Sequence, residues 1–232
     1  PDIIITCAYG QIIPSVLLDT PKYKAVNVHA SLLPKLRGGS PLHRCIIDGY
    51  SETGVTIMYM APGMDDGDII TQESIKIEDT DNVGTIHDKL STLGRNLLLE
   101  ILPSIFNGTN ERIHQDESEV TFAYNIKREE EKLDFNKTAR EVFNHIRGMY
   151  PFPVAYTTLN GEIIKICESK IGTKTNGTVG EIISIYDNGI GVKCSDTEII
   201  ITKLKPSGKK EMMARDFING RGKDKLLGEK LC

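Results

Sequence analysis

The spacing of apolar residues changes midway along the chain, and this change constrains the fold more than any other feature. Up to about residue 110, short strand-like runs alternate with helix-like patterns in an α/β rhythm. Beyond about residue 154, short strand-like runs dominate, and Asn160-Gly161 and Asn188-Gly189 mark hairpins. A polar, charged stretch lies between the two patterns. We therefore predict two domains, at 1–110 and 125–232, joined by a linker at 111–124.

The two halves predict different architectures. In the first half we expect strands at 3–7, 25–28 and 55–60, and helices at 41–48 and 83–105. In the second half we expect a helix at 138–149, followed by five strands at 154–159, 163–166, 181–186, 190–193 and 198–204. Five short strands indicate a small barrel or a sandwich, and the OB fold is a five-stranded barrel that binds oligonucleotides.

Charge is distributed unevenly between the halves. The net charge is -4, but residues 1–121 hold 9 basic and 17 acidic side chains, whereas residues 122–232 hold 19 and 15. Residues 203–230 alone contain nine basic and four acidic side chains. A basic surface attracts phosphates without regard to sequence, although a charge run is more often only a solvated face. The asymmetry suggests that the two domains have separate tasks.

The densest group of reactive side chains begins at Asn27 and His29. These residues are two apart on a predicted strand, so their side chains point to the same side of the sheet. Ligands of open α/β sheets bind at the carboxyl ends of strands, which makes this strand end a candidate site. The alternative is equally open at this point: Asn27 caps a turn and His29 is a hydrogen-bonded core residue.

A second polar group, Gly63-Met-Asp-Asp-Gly67, follows another predicted strand. Its carboxylates could form a turn, bind magnesium or complete an acid-base set with Asn27 and His29, and we rank the metal below the other two. Acyl transfer to an amine needs hydrogen-bond donors for the developing oxyanion and a proton acceptor, which these residue types supply. A nucleophile at Ser31, Ser40 or Cys45 is less favoured because no nucleophile-elbow or catalytic-cysteine signature is present.

These motifs resemble those of a known family. Asn27-Val-His-x-Ser-Leu-Leu-Pro34 followed by Arg37-Gly38 is similar to the signature of the 10-formyltetrahydrofolate-dependent formyltransferases, and Glu52–Met58 with Gly63–Gly67 matches its continuation. The second half resembles the C-terminal OB-like domain of methionyl-tRNA formyltransferases. Its matching motifs include Phe122-Ala-Tyr124, Leu133-Asp-Phe135, Pro151-Phe-Pro153, Lys205–Lys210 and Asp216–Gly220.

The resemblance implies a Rossmann-like α/β formyltransferase domain, incomplete at its N-terminus, followed by an OB-like β-barrel. It implies formyl transfer from 10-formyltetrahydrofolate, as co-substrate and without a metal, to the amino group of methionyl initiator tRNA. The residues that it assigns are catalytic Asn27, His29 and Asp65, folate-binding Ser31, Leu32, Leu33 and Pro34, and tRNA-binding Lys205, Lys209 and Lys210. Asp65 is preferred to Asp66 only because of its register in the family motif.

Three alternatives remain at this stage: a formyltransferase for another amine, such as a nucleotide-linked amino sugar; a formyltetrahydrofolate hydrolase domain; and a non-catalytic RNA-binding module. The chain starts in a strand-like run without Met, so we expect a preceding segment. We expect a cytoplasmic enzyme that is monomeric when full length, and an organellar location stays open. No apolar run is long enough to predict a membrane span.

Overall fold

A computed structural model describes residues 1–11 and 13–232. The chain divides into two compact units. Unit 1 comprises Pro1–Cys45, Tyr50–Asp81 and Thr85–Asn125, and unit 2 comprises Ile46–Gly49, Asn82–Gly84 and Ile126–Cys232. Residues 111–124, which the polar pattern predicts to be a linker, belong to unit 1 and form hydrogen bonds with it. None of the helices described is both long and apolar enough to cross a bilayer.

The first 125 residues form a mixed sheet with flanking helices. In chain order the elements are β1 Ile4–Cys7, α1 Ser15–Leu18, β2 Ala25–His29, α2 Pro41–Ile47, β3 Glu52–Tyr59, β4 Ile69–Lys76 and α3 Val83–Asn107. The sheet order is β1-β2-β3-β4; β1 and β2 are parallel and the other pairs are antiparallel. The α/β class and the predicted strands and helices of this half are confirmed.

Strand β4 is longer than its sequence suggests. Its continuous apolar run is short, Ile69-Ile70, because Thr71–Ser74 is polar. The strand nevertheless pairs with β3 from Glu52 opposite Lys76 to Met58 opposite Ile69. Backbone pairing with a buried neighbour thus extends the strand beyond the residues whose side chains favour it.

Helix α3 packs closely on the sheet. Its predicted apolar repeat is confirmed, and it ends where Gly108 takes a positive φ of 67°. A Cβ atom at Gly94 would lie 3.0 Å from Val28 Cγ1 and 3.5 Å from Val55 Cγ1. Glycine at this position therefore lets the helix lie against the strand that carries Asn27 and His29.

Unit 2 contains an antiparallel sheet with helices packed on it. Its elements are α4 Ala139–Met149, β5 Tyr156–Leu159, β6 Glu162–Ile171, β7 Ile182–Tyr186, β8 Gly189–Lys193, β9 Glu198–Pro206, β10 Met212–Met213, α5 Ala214–Arg221 and α6 Lys223–Leu226. The strand order is β5-β6-β9-β8-β7, with β10 paired to β9. The five predicted strands are confirmed, whereas β10 and the two C-terminal helices were not predicted because their apolar patterns are short.

The β5–β6 hairpin follows from its turn residues. Leu159 pairs with Glu162, so Asn160 and Gly161 form a two-residue loop. Both have positive φ, 51° and 81°, as a type I′ turn requires. Asparagine and glycine tolerate this conformation best, which is why the dipeptide is a reliable signal.

Both outer strands of this order contact the same C-terminal segment. Leu231 forms a β-bridge with Leu159 at the end of β5, and Lys230 forms one with Glu181 just before β7. The Thr158 N–H donates to the Cys232 carbonyl (2.9 Å), and the Ile182 N–H donates to the Glu229 carbonyl (2.8 Å). The segment 228–232 therefore satisfies backbone groups that an open sheet would leave exposed at its edges.

A carboxylate lies fully buried in the sheet of unit 2. Glu198 on β9 accepts hydrogen bonds from Ser184 Oγ (2.5 Å) and Tyr186 Oη (2.7 Å). Burial alone would raise the pKa of Glu198, but these hydrogen bonds outweigh it and hold the pKa below its ordinary value. The charged form is therefore part of the folded structure.

We expect Glu198→Gln to lower the free energy of unfolding by about 1.5–3 kcal/mol at pH 7, because charge-assisted hydrogen bonds are lost. A depressed native pKa stabilises the fold above the unfolded-state pKa, and this contribution is lost as the pH falls through the native value. The difference in free energy of unfolding between wild type and Glu198→Gln should therefore become smaller in acid. Urea unfolding at several pH values, followed by tyrosine fluorescence, measures this difference. Exposed Glu129→Gln serves as the control, and a pH-independent difference would contradict the assignment.

Candidate active site

Asn27 lies in the middle of β2, and its side-chain amide accepts a hydrogen bond from the neighbouring strand β1. Thr6 of β1 is opposite Asn27, and its hydroxyl donates to Asn27 Oδ1 (2.9 Å). The Oδ1 atom is thus identified as the acceptor, and Nδ2 points towards Asp65 Oδ1 at 3.5 Å. This contact is long, so the two N–H donors of Asn27 are only weakly engaged. Thr6 has no sequence signal beyond its place in a strand, and sequence reasoning missed it.

His29 ends β2 and is 6% exposed. Its Nε2 lies 3.1 Å from the Leu36 carbonyl, which can only accept, so Nε2 carries the hydrogen in this contact. Its Nδ1 lies 3.6 Å from Asp65 Oδ2. The ring is therefore held between two oxygen atoms, one of which belongs to a partly exposed carboxylate, and this differs from the surroundings of an ordinary core histidine.

Asp65 lies in the loop between β3 and β4. Its φ is 50°, a left-handed conformation that aspartate adopts more readily than most residues. The Gly38 N–H donates to its Oδ2 (2.9 Å). The adjacent Asp66 turns away: a Cβ atom at Gly63 would lie 2.1 Å from Asp66 Oδ2. The geometry therefore brings Asp65, and not Asp66, together with Asn27 and His29.

The backbone that contacts His29 and Asp65 is fixed by a segment more than 80 residues away. We call residues 109–125 the connector. The Leu36 N–H donates to Thr121 Oγ1 (2.9 Å), the Arg37 N–H donates to the Thr121 carbonyl (2.9 Å), and the Ala123 N–H donates to the Arg37 carbonyl (2.7 Å). The Leu36 carbonyl and the Gly38 N–H are thereby placed against the two catalytic candidates.

Two buried side chains reinforce this pairing. Arg37, 5% exposed, donates through Nε to Gln115 Oε1 (3.0 Å) and pairs with Glu117 (2.8 Å). Its hydrogen bond lowers the pKa of Glu117. Gln115, 2% exposed, donates through Nε2 to the carbonyls of Asp65 and Gly67, both at 2.8 Å. Gln115 therefore connects the buried guanidinium to the backbone of the Asp65 loop, and no motif in the sequence indicated this.

The predicted folate segment, residues 31–34, packs against β3 and β4. Ser31 and Leu33 are buried, and Leu32 and Pro34 are partly exposed. The Leu33 N–H donates to Thr56 Oγ1 (3.1 Å), and Gln72 Nε2 donates to the Leu33 carbonyl (2.8 Å). The segment is therefore firmly held, with Leu32 and Pro34 as the members whose side chains a ligand can reach.

The predicted tRNA-binding lysines lie at one end of β9. Lys205, Lys209 and Lys210 are all exposed, and the last two belong to the turn after the strand. Lys205 is directly opposite Lys165 on β6, and like charges in this position are unfavourable unless an anion is nearby. Burial alone would lower the pKa of Lys203, but hydrogen bonds to Glu211 and Glu168 raise it above its ordinary value. Lys203 is thus positively charged, and its charge is balanced by carboxylates of the protein itself.

The other candidate nucleophiles are engaged elsewhere. Ser31 Oγ donates to the Lys35 carbonyl (2.7 Å), and Cys45 is buried within α2. Ser40 Oγ contacts Asn125 Oδ1 at 3.5 Å. In the part of the chain that the structure describes, no three His, Cys, Asp or Glu side chains are grouped to hold a metal ion.

The arrangement of Asn27, His29 and Asp65 has a definite chemical capacity. An oriented amide N–H can stabilise a developing oxyanion, and the partly exposed carboxylate can accept a proton. Backbone groups fix the imidazole and the carboxylate before any substrate arrives. The set therefore suits acyl transfer to an amine without a covalent enzyme intermediate.

Two family models match the chain, one for each pattern in the sequence. Residues 1–102 match the formyl transferase model, and residues 125–222 match the model of the formyl transferase C-terminal domain. Among solved structures, HypX from Aquifex aeolicus with tetrahydrofolic acid superposes with a TM-score of 0.72 at 18% identity, over 94% of this chain and 38% of that one. The sugar 3N-formyl transferase WlaRD, solved with dTDP and 5-N-formyl-THF, has a TM-score of 0.68 at 23% identity, over 90% and 73%. At these identities the likeness shows the fold alone.

Curated relatives are much more similar in sequence. Methionyl-tRNA formyltransferase of Bacillus velezensis is 51% identical over 95% of this chain and 70% of its own length. Methionyl-tRNA formyltransferase of Staphylococcus aureus (strain MW2) is 50% identical over 99% of this chain and 74% of its own length. With both domain models matched in order and relatives this similar over nearly the whole chain, the chain belongs to the formyl transferase family.

Proposed function

We propose that the protein transfers the formyl group of 10-formyltetrahydrofolate to the amino group of methionine esterified to initiator tRNA. The observation that carries this proposal is the grouping of Asn27 and His29 of β2 with Asp65 of the loop between β3 and β4. The two relatives at about 50% identity, both named methionyl-tRNA formyltransferase, favour this acceptor over other amines.

The reaction exchanges one carbon–nitrogen bond for another. The methionyl amine attacks the formyl carbon, and the bond from that carbon to the folate nitrogen breaks. Asn27 Nδ2 donates to the oxygen as its negative charge develops. Asp65 accepts the proton that the amine loses, directly or through a water molecule, and the departing folate nitrogen takes up a proton.

His29 makes two contacts that matter for its role. Because Nε2 donates to Leu36 and Nδ1 faces Asp65, the ring must give up one contact to donate to the substrate. Asn27 is therefore the donor that is ready before the substrate binds. His29 joins it when the formyl oxygen replaces one of the two protein oxygen atoms.

We infer that unit 2 is an OB-like barrel that binds the tRNA. The support is its antiparallel five-strand order, with segment 228–232 bonded to both outer strands. The exposed Lys205, Lys209 and Lys210 supply phosphate contacts, and Leu32 and Pro34 line the folate pocket. We also propose domain limits of 1–110 and 125–232, with the intervening residues 111–124 packed on the first domain.

A sugar formyltransferase is the second candidate function. WlaRD carries that name and shares the fold of nearly the whole chain. Its 23% identity is far below that of the methionyl-tRNA formyltransferases, and exposed lysines at the end of β9 are not needed for a small sugar substrate. The two functions differ in the amine that accepts the formyl group.

We expect the full-length protein to formylate methionyl initiator tRNA, and Asn27→Ala to lower kcat by about 10²–10³-fold with little change in KM for the folate. Formyl-methionyl-tRNA formation at saturating folate measures this. Thr6→Val should cause a smaller loss, because Asn27 remains but its amide loses its orientation, and Thr6→Ser should restore the rate. Formylation of a nucleotide-linked amino sugar instead of methionyl-tRNA would contradict the proposed function.

Gln115 is expected to act as a positioning residue for Asp65. Gln115→Ala should lower kcat by about 10- to 100-fold, since a displacement of about 1 Å at a reacting group can cost that much. Gln115→Glu has the same shape and keeps an acceptor for Arg37, but it cannot donate to the carbonyls of Asp65 and Gly67. It should therefore fail to restore kcat. Steady-state kinetics report on the positioning of Asp65, and thermal unfolding reports on the hydrogen bond to Arg37. Full activity of Gln115→Glu would contradict the positioning role and would leave Gln115 only as a partner of Arg37.

Removal of two exposed lysines should weaken tRNA binding in a salt-dependent way. Lys209→Ala/Lys210→Ala should lower the slope of log affinity against log salt by about 2, because each phosphate contact contributes about 0.9. The folate KM should not change. Filter binding from low to high salt measures the slope. Lys132→Ala/Lys170→Ala removes the same charge from other exposed positions of unit 2, and an equal effect would rule out a specific site at the end of β9.

A further inference from the structure

Two exposed aromatic rings lie on the connector. Phe122 and Tyr124 are 47% and 63% exposed, and their rings are stacked with centroids 5.6 Å apart and an interplanar angle of 16°. They are two residues apart in an extended segment, so both point to one side, while the intervening Ala123 is fully buried. The backbone thus presents a flat aromatic surface, which we call the platform, to the solvent.

Packing within the protein does not account for the platform. A single exposed apolar side chain needs no explanation, but two stacked rings form a surface that can take a third planar group. A basic side chain adjoins it, because Arg44 Nε donates to the Tyr124 carbonyl at 3.3 Å. Aromatic faces beside a cation are the usual features of surfaces that hold unpaired nucleobases.

The platform is attached to the candidate active site through few bonds. Phe122 forms a β-bridge with Arg37, and the next residue, Gly38, donates its N–H to Asp65 Oδ2 (2.9 Å). A Cβ atom on Gly38 would lie 3.0 Å from the Ala123 carbonyl oxygen. The backbone of Phe122 is therefore paired with Arg37, and the N–H of the next residue holds the carboxylate of the proposed proton acceptor.

We propose that Phe122 and Tyr124 stack an unpaired nucleobase at the 3′ end of the aminoacyl-tRNA and so place the methionyl ester beside Asn27 and Asp65. This inference rests on the proposed function. The aminoacyl group is esterified to the terminal ribose, so a base with an open face always accompanies the reacting amine. The connector then has two tasks: its inner side fixes residues 36–40, and its outer side receives the acceptor end.

A folate ring is the competing occupant, since it is also planar and aromatic. The folate segment 31–34 packs on β3 and β4, whereas the backbone of the platform pairs with residues 37–40, which follow the folate segment in the chain. The folate and the amine must approach the formyl carbon from different directions. The platform therefore fits the acceptor side, and the folate KM decides between the two occupants.

The test compares Phe122→Leu/Tyr124→Leu with wild type in the full-length protein. Leucine keeps apolar volume but removes the ring faces, so we expect kcat/KM for methionyl-tRNA to fall by about 5- to 100-fold, with the folate KM unchanged. In a binding assay, an RNA hairpin with a single-stranded 3′ end carries 2-aminopurine as its last base. Its fluorescence should be quenched by wild type and not by the double variant.

Phe106→Leu is the matched control, because Phe106, at the end of α3, is also exposed (43%) and its ring partner is Tyr23 and not a residue of the connector. It should behave as wild type. Wild-type kinetics in the double variant would overturn the platform and leave the proposed function intact, and a raised folate KM would assign the rings to the folate. Wild-type protein that formylates no methionyl-tRNA would overturn both. Circular dichroism confirms that each variant is folded.

Discussion

The pairing between residues 36–40 and the connector is the interaction on which the site depends. A guanidinium cannot be buried without partners, so Arg37 requires Gln115 and Glu117, and these come from a segment nearly 80 positions later. Once Arg37 is held, the Leu36 carbonyl lies against His29 and the Gly38 N–H lies against Asp65. Loss of the pairing would leave a buried cation unsatisfied and would release both catalytic candidates together.

Most of the groups that orient the candidate catalytic side chains belong to the backbone. Asn27 receives a hydroxyl from Thr6, but His29 and Asp65 are oriented by a carbonyl and an N–H. Such groups have no rotamers to fix, so their positions are set by strand pairing and loop conformation alone. A site of this kind has its dipoles in place before the substrate arrives, which is the condition under which electrostatic stabilisation is most effective.

Local patterns predicted much of the fold, and non-local contacts decided the rest. The repeat in α3 and the Asn160-Gly161 turn each depend on neighbours in sequence, so both could be predicted. Strand β4 and the packing of the connector depend on distant backbone partners, and their own side chains carry little signal. The motif residues Asn27 and His29 were recognisable by type and spacing. Asp65 was preferred to Asp66 only on its register in the family motif, and the left-handed φ and the Gly38 amide that distinguish the two residues appear only in the structure.

The basic residues of unit 2 show why a count of charged side chains overestimates how many of them can bind a phosphate. Residues 203–230 hold nine basic side chains, yet Lys203 is paired with Glu168 and Glu211, and Arg221 is paired with Glu162. Lys205, Lys209 and Lys210 are exposed, and Lys205 lies opposite another cation across the strand pair. The Lys165 Nζ donates to the Pro153 carbonyl (2.9 Å), so Lys205 is the cation of this pair that we propose to contact a phosphate. In the proposed tRNA-binding role, the contribution therefore comes from Lys205, Lys209 and Lys210 at one end of β9, and not from the net charge of the unit.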